Sequence, residues 1–390
     1  MLFGLDAIPL TEPRAGVGHY TFELARALSE ASARDEFELL YPSSYEPINL
    51  DGESLPRNLS AVRVGVGALG RRWWAVGLPR YLRRGRVPLF HGTNYEVPLW
   101  GGAARVLTVH DLSLLLHPET HEERRVRRAR RRHPLMARAA DALITPTESV
   151  RREVCEHLGV APSKVFAVHE AARECFTPME GGEATDLLRE LGVGGGDFLL
   201  AVGTIEPRKN LATLVSAFEE VLRARPSSDI QLVVAGGRGW MSEPFTEALE
   251  KSPARGRVVL TGYVSDGDLR ALYSACRAFL YLSLYEGFGL PPLEAMSCGA
   301  PVVAGRTSAV AEVTGGAARL VSPDCPEEAA AAVLELLGVE GARRTLADAG
   351  LRRAAQFSWP RAARETLAVY EEVLNKQSSN TEARRHRGTA

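Results

Sequence analysis

Short β-branched runs separated by longer helical patterns recur along almost the whole chain, and this alternation predicts βαβ units with parallel sheets covered on both faces. In the first half the runs are Leu2–Asp6, Phe37–Tyr41, Ala61–Val66, Val87–His91, Arg105–His110, Asp141–Thr145 and Lys164–His169. The rhythm breaks between Ala171 and Gly196, where Pro178, Gly181, Gly182 and Gly194 to Gly196 crowd together, and a domain boundary is expected there. It restarts near Phe198 and continues with Gln231–Ala235, Arg257–Thr261, Ala278–Ser283, Pro301–Ala304 and Ala318–Val321. A chain of 390 residues suits two such domains, predicted at 1–180 and 181–358, and two domains imply a cleft between them. Residues 377–390 are polar and aperiodic, which predicts a disordered tail.

Composition excludes several classes. Hydrophobic residues at 45% and charged residues at 24% fit a globular protein, and no apolar run approaches the roughly 20 residues a membrane span needs. Met1–Leu10 contains Asp6 and Pro9, lacks a basic leader and reads as a first strand, so export is not expected. Cys155, Cys175, Cys276, Cys298 and Cys325 are scattered without a CxxC pair, which points to neither disulfides nor zinc and favours a reducing cytoplasm. The net charge of -1 hides residues 61–140, where 16 Arg face five acids, a local +11. Arg71 to Arg86 with Trp73 and Trp74, and Arg124 to Arg132, read either as solvated helix faces or as a peripheral contact with an anionic membrane at its inner face. Nucleic acid fits poorly, because the pI is near 6.8 and no recognition module accompanies the arginines.

Ligands of doubly wound sheets bind beyond the carboxyl ends of the strands, and the chemically informative residues follow the strands. In Tyr285–Glu294 a strand ends, a glycine turn follows and a helix begins; its amides can face a phosphate, flanked by Glu286 and Glu294. The same segment also reads as an ordinary capped turn. After another strand, Gly203 leads to Arg208 and Lys209, cations placed to neutralise a leaving diphosphate without a metal, or else a solvated basic turn. Ala15–Gly16–Val17–Gly18 opens a helix after the first strand; it lacks the third glycine and the acid of a dinucleotide site, so close approach to phosphate or sugar is read instead. His110 ends a strand and reads either as a group that bonds a substrate hydroxyl or takes a proton, or as a satisfied histidine of a polar edge. His91, Asn94 and Glu96 follow a further strand and are candidates for the acceptor side.

These segments, taken in order, resemble glycosyltransferase family four. The carrying stretches are AGVGHYTFELARAL, VLTVHDL, ITPTESVRREV, GTIEPRKNL, VVAGGRGW and LTGYVSDGDLRALYSACRAFLYLSLYEGFGLPPLEAMSCGAPVVA, with seven residues between Glu286 and Glu294. The match covers the chain to about residue 375 and is similar to the bacterial branch of O-antigen and exopolysaccharide mannosyltransferases. The resemblance implies the GT-B fold, two doubly wound Rossmann-like domains facing a central cleft, with residues 359–376 returning to the first domain. It implies that Arg208 and Lys209 grip the donor diphosphate, Glu286 bonds donor-sugar hydroxyls, and Glu294 holds the ribose. The amides of Phe288, Gly289 and Leu290 would meet sugar and phosphate, with Gly203 nearby; Gly262, Tyr263 and Val264 would edge the base; Gly16 and His110 would approach phosphate and sugar from the other domain. Ala15 stands where the family often has glycine.

The activity implied is retaining transfer of a hexosyl group, with GDP-mannose the donor the branch points to, onto a saccharide or lipid-linked saccharide in surface polysaccharide synthesis. Front-face substitution is favoured, because no carboxylate is placed opposite the leaving group, and neither metal nor cofactor is expected. A sugar-nucleotide epimerase on the same fold and a catalytically inactive scaffold subunit remain as alternatives.

Overall fold

The computed structural model describes residues 1–50, 52–65, 72–179, 182–194 and 196–387, with residues 380–387 as backbone only. Val66 of one expected strand, Arg71 of the basic cluster, Gly181 and Gly195 of the expected boundary, and residues 388–390 of the expected tail lie outside these. The chain divides into two compact units, one made of Met1–Leu112, Arg128–Glu170 and Ser358–Ala390, the other of Ser113–Arg127 and Ala171–Phe357.

The first unit holds a parallel sheet of β1 (Leu2–Asp6), β2 (Glu36–Pro42), β3 (Leu59–Val64), β4 (Leu89–Gly92), β5 (Ala104–Thr108), β6 (Ala142–Thr145) and β7 (Val165–Ala167). Its strand order is β3-β2-β1-β4-β5-β6-β7. The second holds β8 (Phe198–Val202), β9 (Gln231–Ala235), β10 (Val258–Gly262), β11 (Ala278–Tyr281), β12 (Val302–Gly305) and β13 (Arg319–Val321), in the order β10-β9-β8-β11-β12-β13. Helices cover both faces of such sheets, so interior strands must be apolar on both sides. Every residue of β4 and β12 is buried, whereas the edge strand β10 is half-exposed along its length. Each strand predicted from the alternation is present, with ends that differ by up to two residues. In both sheets the order reverses, between β1 and β4 and between β8 and β11, and such switch points open a crevice at the strands' carboxyl ends.

Two expectations change. The final helix runs Trp359–Arg387, so the backbone of 377–387 continues a helix where a disordered tail was expected. Once an amphipathic helix is nucleated, each added residue costs little, and Glu382, Ala383 and Arg384 are good helix formers with no Gly or Pro before Gly388. Its buried positions Trp359, Ala362, Ala363, Thr366, Val369, Tyr370 and Val373 recur at helical spacing, and the helix packs along Gly16–Ala31 within the first unit. Second, Ser113–Arg127 belongs with the later half of the chain. Trp240 Nε1 donates to the Thr120 carbonyl at 2.9 Å, His121 stacks on Trp240 at 5.9 Å, and His117 lies 5.0 Å from the Tyr285 ring.

Candidate active site

The reversal between β8 and β11 places two loops side by side. After β8, Glu206, Pro207 and a single 3-10 turn over Pro207–Lys209 carry the chain into helix Leu211–Ala224, and Asn210 takes the left-handed conformation at φ 54°. Asn210 Nδ2 donates to the carbonyls of Leu282 and Pro323, and the Leu284 amide donates to the Arg208 carbonyl at 2.9 Å, so the loop after β8 is stitched to the loop after β11. That stitching delivers Arg208 and Lys209 to Glu286. Arg208 Nη1 donates to Glu286 Oε2 at 2.7 Å and to the Tyr285 carbonyl at 3.0 Å, and Nη2 donates to Glu206 Oε1 at 2.7 Å. Lys209 Nζ donates to Glu286 Oε1 at 2.7 Å and to the Tyr281 hydroxyl at 2.9 Å.

This cluster is drier than expected for strand tips. The side chains of Arg208, Lys209 and Glu286 are only 14%, 12% and 10% exposed. Burial alone would raise the Glu286 pKa, but Arg208 and Lys209 outweigh it and hold the carboxyl at about 2. Burial and the adjacent Arg208 push Lys209 down, against the pull of Glu286. Glu286 and the two cations were assigned to different parts of the donor; in the fold they form one ion cluster, with Glu206 and Tyr281 as members that sequence reasoning missed. Glu206 carried a signal, since it follows the same strand two residues before Arg208.

Glu294 lies on helix Leu290–Ser297, which follows β11 and the turn that carries Glu286. Tyr273 donates to its Oε2 at 3.3 Å, and Arg173 Nε stands 3.6 Å from Oε1 while Arg173 Nη1 donates to Asp266 at 2.5 Å. Burial raises the Glu294 pKa to about 6, against the opposing effect of Arg173. Arg173 and Tyr273 were not anticipated, because nothing in local sequence couples them to Glu294. Gly289 caps this helix at φ 102°, a conformation strained for any residue with a Cβ. Pro291 and Pro292 carry no N–H, so Leu290 supplies the only amide among the first three helical positions. At the end of β10, Tyr263 is 75% exposed beside Gly262 and half-buried Val264, an open aromatic edge of the kind a base can stack on. The Gly203 amide, by contrast, donates to the Ala235 carbonyl at 2.9 Å and serves the sheet.

In the first unit Gly16 opens helix Gly16–Ala31 at φ 26°, and nothing stands within 4 Å of the place a Cβ would occupy. His110 Nε2 donates to the Thr93 carbonyl at 2.8 Å, which fixes the hydrogen on that nitrogen, and Nδ1 lies 3.4 Å from Glu170. Two of the acceptor-side candidates are engaged by partners within the first unit. His91 is fully buried, with Nδ1 2.7 Å from the Tyr370 hydroxyl and Nε2 2.7 Å from Thr108 Oγ1, and burial, then His110, lower its pKa to about 3. It joins the sheet to the last helix, because it sits inside β4 rather than beyond it. Glu96 is bound by Arg132 and Arg128 of helix Glu123–Ala139. Asn94 is half-buried in the same loop.

Two doubly wound parallel sheets of seven and six strands in one chain make the GT-B fold, and the switch point of the second gathers two cations, a carboxylate and a helix N-terminus. Comparison with known proteins agrees. Residues 14–171 match the family model described as Glycosyltransferase Family 4, and residues 196–338 match Glycosyl transferases group 1. The chain belongs to glycosyltransferase family four. It is 29% identical over 374 residues to O-antigen chain mannosyltransferase B of Escherichia coli, covering 93% of this chain and 97% of that protein. It is 30% identical over 63% of its length to the serotype-specific mannosyltransferase WbdA of Escherichia coli, of which it spans 30%. Among solved structures, sucrose-phosphate synthase of Thermosynechococcus elongatus superposes with a TM-score of 0.73 at 20% identity, over 96% of this chain and 99% of that one. Anabaena HepE in complex with UDP-glucose gives 0.68 at 17%, over 97% and 99%.

Proposed function

We propose that this glycosyltransferase moves a mannosyl group from GDP-mannose to a saccharide or lipid-linked saccharide in surface polysaccharide synthesis, with retention of configuration and without a metal. The observation that carries the reading is the Arg208–Glu286–Lys209 cluster at the β8/β11 switch point, whose two cations suit the charges of a diphosphate and whose carboxylate suits sugar hydroxyls. The names of the mannosyltransferase relatives support the sugar and the polysaccharide setting.

The steps follow from the groups present. The donor diphosphate takes the cations, and the bond from the anomeric carbon to the phosphate oxygen lengthens as Arg208 and Lys209 neutralise the charge that grows there. An acceptor hydroxyl attacks from the face the diphosphate is leaving, its oxygen bonds to the anomeric carbon, and its proton passes to the departing phosphate oxygen. Glu286 accepts hydrogen bonds from sugar hydroxyls, and Glu294 accepts from the ribose. The test is incubation with UDP, GDP, ADP and dTDP sugars, first in a thermal-shift panel and then with acceptor, reading the anomer by NMR with and without EDTA. A shift specific to GDP-mannose, an α-linked product and EDTA resistance are expected. Conversion of donor without acceptor would mark an epimerase, and no nucleotide response at all would mark an inactive subunit.

A further inference from the structure

The two cations of the cluster are anchored differently. Arg208 presents a planar fork, and apart from Glu286 it is fixed by the Tyr285 carbonyl at 3.0 Å and by Glu206 at 2.7 Å. Lys209 is a point charge on a flexible stem, with three N–H donors. Among the described residues its Nζ donates to Glu286 Oε1 at 2.7 Å and to the Tyr281 hydroxyl at 2.9 Å. When Glu286 leaves the cations for a sugar hydroxyl, Arg208 therefore keeps Glu206 and the Tyr285 carbonyl, while Lys209 keeps Tyr281 alone.

Tyr281 is suited to hold an ammonium by itself. Lys209 Nζ stands over its ring, 4.9 Å from the centroid, a cation–π contact that strengthens where water is excluded. Burial, and then the charge of Glu286, push the phenol well above its usual range, so it meets Lys209 as a neutral acceptor. The ring is also held from behind. Tyr281 ends β11, and its ring stacks at 5.9 Å on Phe279, two residues earlier on the same face of the strand. Phe279 in turn meets Tyr273 edge-on at 5.4 Å, and all three rings are buried in the core of the second unit. At the far end of this column the Tyr273 hydroxyl donates to Glu294. A hydroxyl carried by a packed strand is a fixed point, which a carboxylate that also serves the sugar is not.

We propose that Tyr281 is the positioning residue for Lys209, holding the ammonium in place for the donor diphosphate once Glu286 has turned to the sugar. This role rests on the donor reading given above. It is tested by a double-mutant cycle on the full chain, with the binding of GDP, UDP, ADP and dTDP measured by calorimetry and folding checked by circular dichroism. Tyr281→Phe removes the hydroxyl and keeps the ring; Glu286→Ala removes the other acceptor. In the otherwise wild-type chain Tyr281→Phe changes the affinity for the nucleotide by less than about twofold, because Glu286 keeps the free ammonium in place. In the Glu286→Ala background it weakens binding roughly three- to tenfold, since the free lysine swings into water and has to be ordered again on binding. A merely structural tyrosine gives the same penalty in both backgrounds, and that result would overturn the role. A measurement on the wild-type chain decides the matter even where a variant misfolds. The chain has four lysines, Lys164, Lys209, Lys251 and Lys376, so selective isotope labelling of lysine gives a sparse NMR spectrum in which the Tyr281 ring shifts the Lys209 ε-protons upfield. That shift persists at saturation with nucleotide, and its loss on binding would equally overturn the role. Binding of none of these nucleotides by the wild-type chain would remove the donor reading and the role of Tyr281 together, whereas binding with equal penalties removes the role of Tyr281 alone.

Discussion

Replacing Glu286 by Gln removes the charge that binds both cations but keeps the shape of the side chain. The carboxyl pKa of about 2, against 4.5 for an ordinary Glu, corresponds to about 3 kcal/mol of preference for the ionised form in the folded state. That contribution is fully present above about pH 4.5 and is lost as pH falls toward 2, since the folded pKa lies below the unfolded one. At neutral pH the variant therefore loses about 3 kcal/mol, in line with the cost of stranding one side of a buried pair, and its melting temperature falls by roughly 6 to 12 °C. Arg208 and Lys209 are then left without that carboxylate, and a nucleoside diphosphate recovers part of the lost energy. Binding of the nucleoside diphosphate, measured by calorimetry, becomes about 10- to 100-fold tighter, a nucleoside monophosphate gains less, and sugar transfer is lost. Unchanged or weaker diphosphate binding in a folded Glu286→Gln protein would refute the idea that Glu286 and the diphosphate compete for the same cations.

Glu294, raised to about 6 in the folded state, takes up a proton that the unfolded chain has released, so folding stability falls by about 2 kcal/mol as pH rises from about 4.5 to about 6. Glu294→Gln should flatten that slope in denaturant titrations, and wild-type donor affinity should fall below about pH 6, where the carboxyl ceases to accept from the ribose. Tyr370→Phe leaves His91 Nδ1 without its partner and should cost about 1 to 3 kcal/mol in unfolding experiments, with nucleotide binding unaltered. Gly289→Ala, at φ 102°, should cost about 1 to 3 kcal/mol and lower diphosphate affinity in the same assays by shifting the helix start; wild-type stability would contradict the assigned backbone strain.

The interior of each sheet was legible because a strand buried on both faces has to read as a short apolar run, as β4 and β9 do. Strand tips were legible for the same reason, which is why Arg208, Lys209, Glu286 and Glu294 were found as candidates. What the one-dimensional pattern lacked was pairing across sequence. Glu286 meets Arg208 over a separation of 78 residues, and Arg173 meets Glu294 from the segment expected to be a boundary. His91 looked like a strand-tip ligand because a polar residue closed an apolar run, yet it is the one polar group of β4 and finds its partners in Thr108 and Tyr370. Glu96 was singled out because it follows a strand; Arg128 and Arg132 reach it from a later helix. The basic run was visible, but only the fold separates arginines with acidic partners from those without.

Charge bookkeeping over the cluster joins the two roles assigned to Glu286. Arg208 and Lys209 are answered in this structure by Glu286 and Glu206, so the group as a whole is close to neutral while it is buried. A diphosphate arriving at the same cations would bring further negative charge into a site with little water to screen it, and a shared arrangement with Glu286 still in place would set carboxylate against phosphate. The arrangement that avoids this is an exchange, in which the diphosphate takes the two cations while Glu206 keeps its hold on Arg208, and the released Glu286 carboxylate turns to the sugar hydroxyls as acceptor. On this argument the sugar-binding carboxylate is freed only by the phosphate end of the same ligand, so a free hexose should bind far more weakly than the nucleotide sugar, and after transfer Glu286 would compete for the same cations and so help to displace the nucleoside diphosphate.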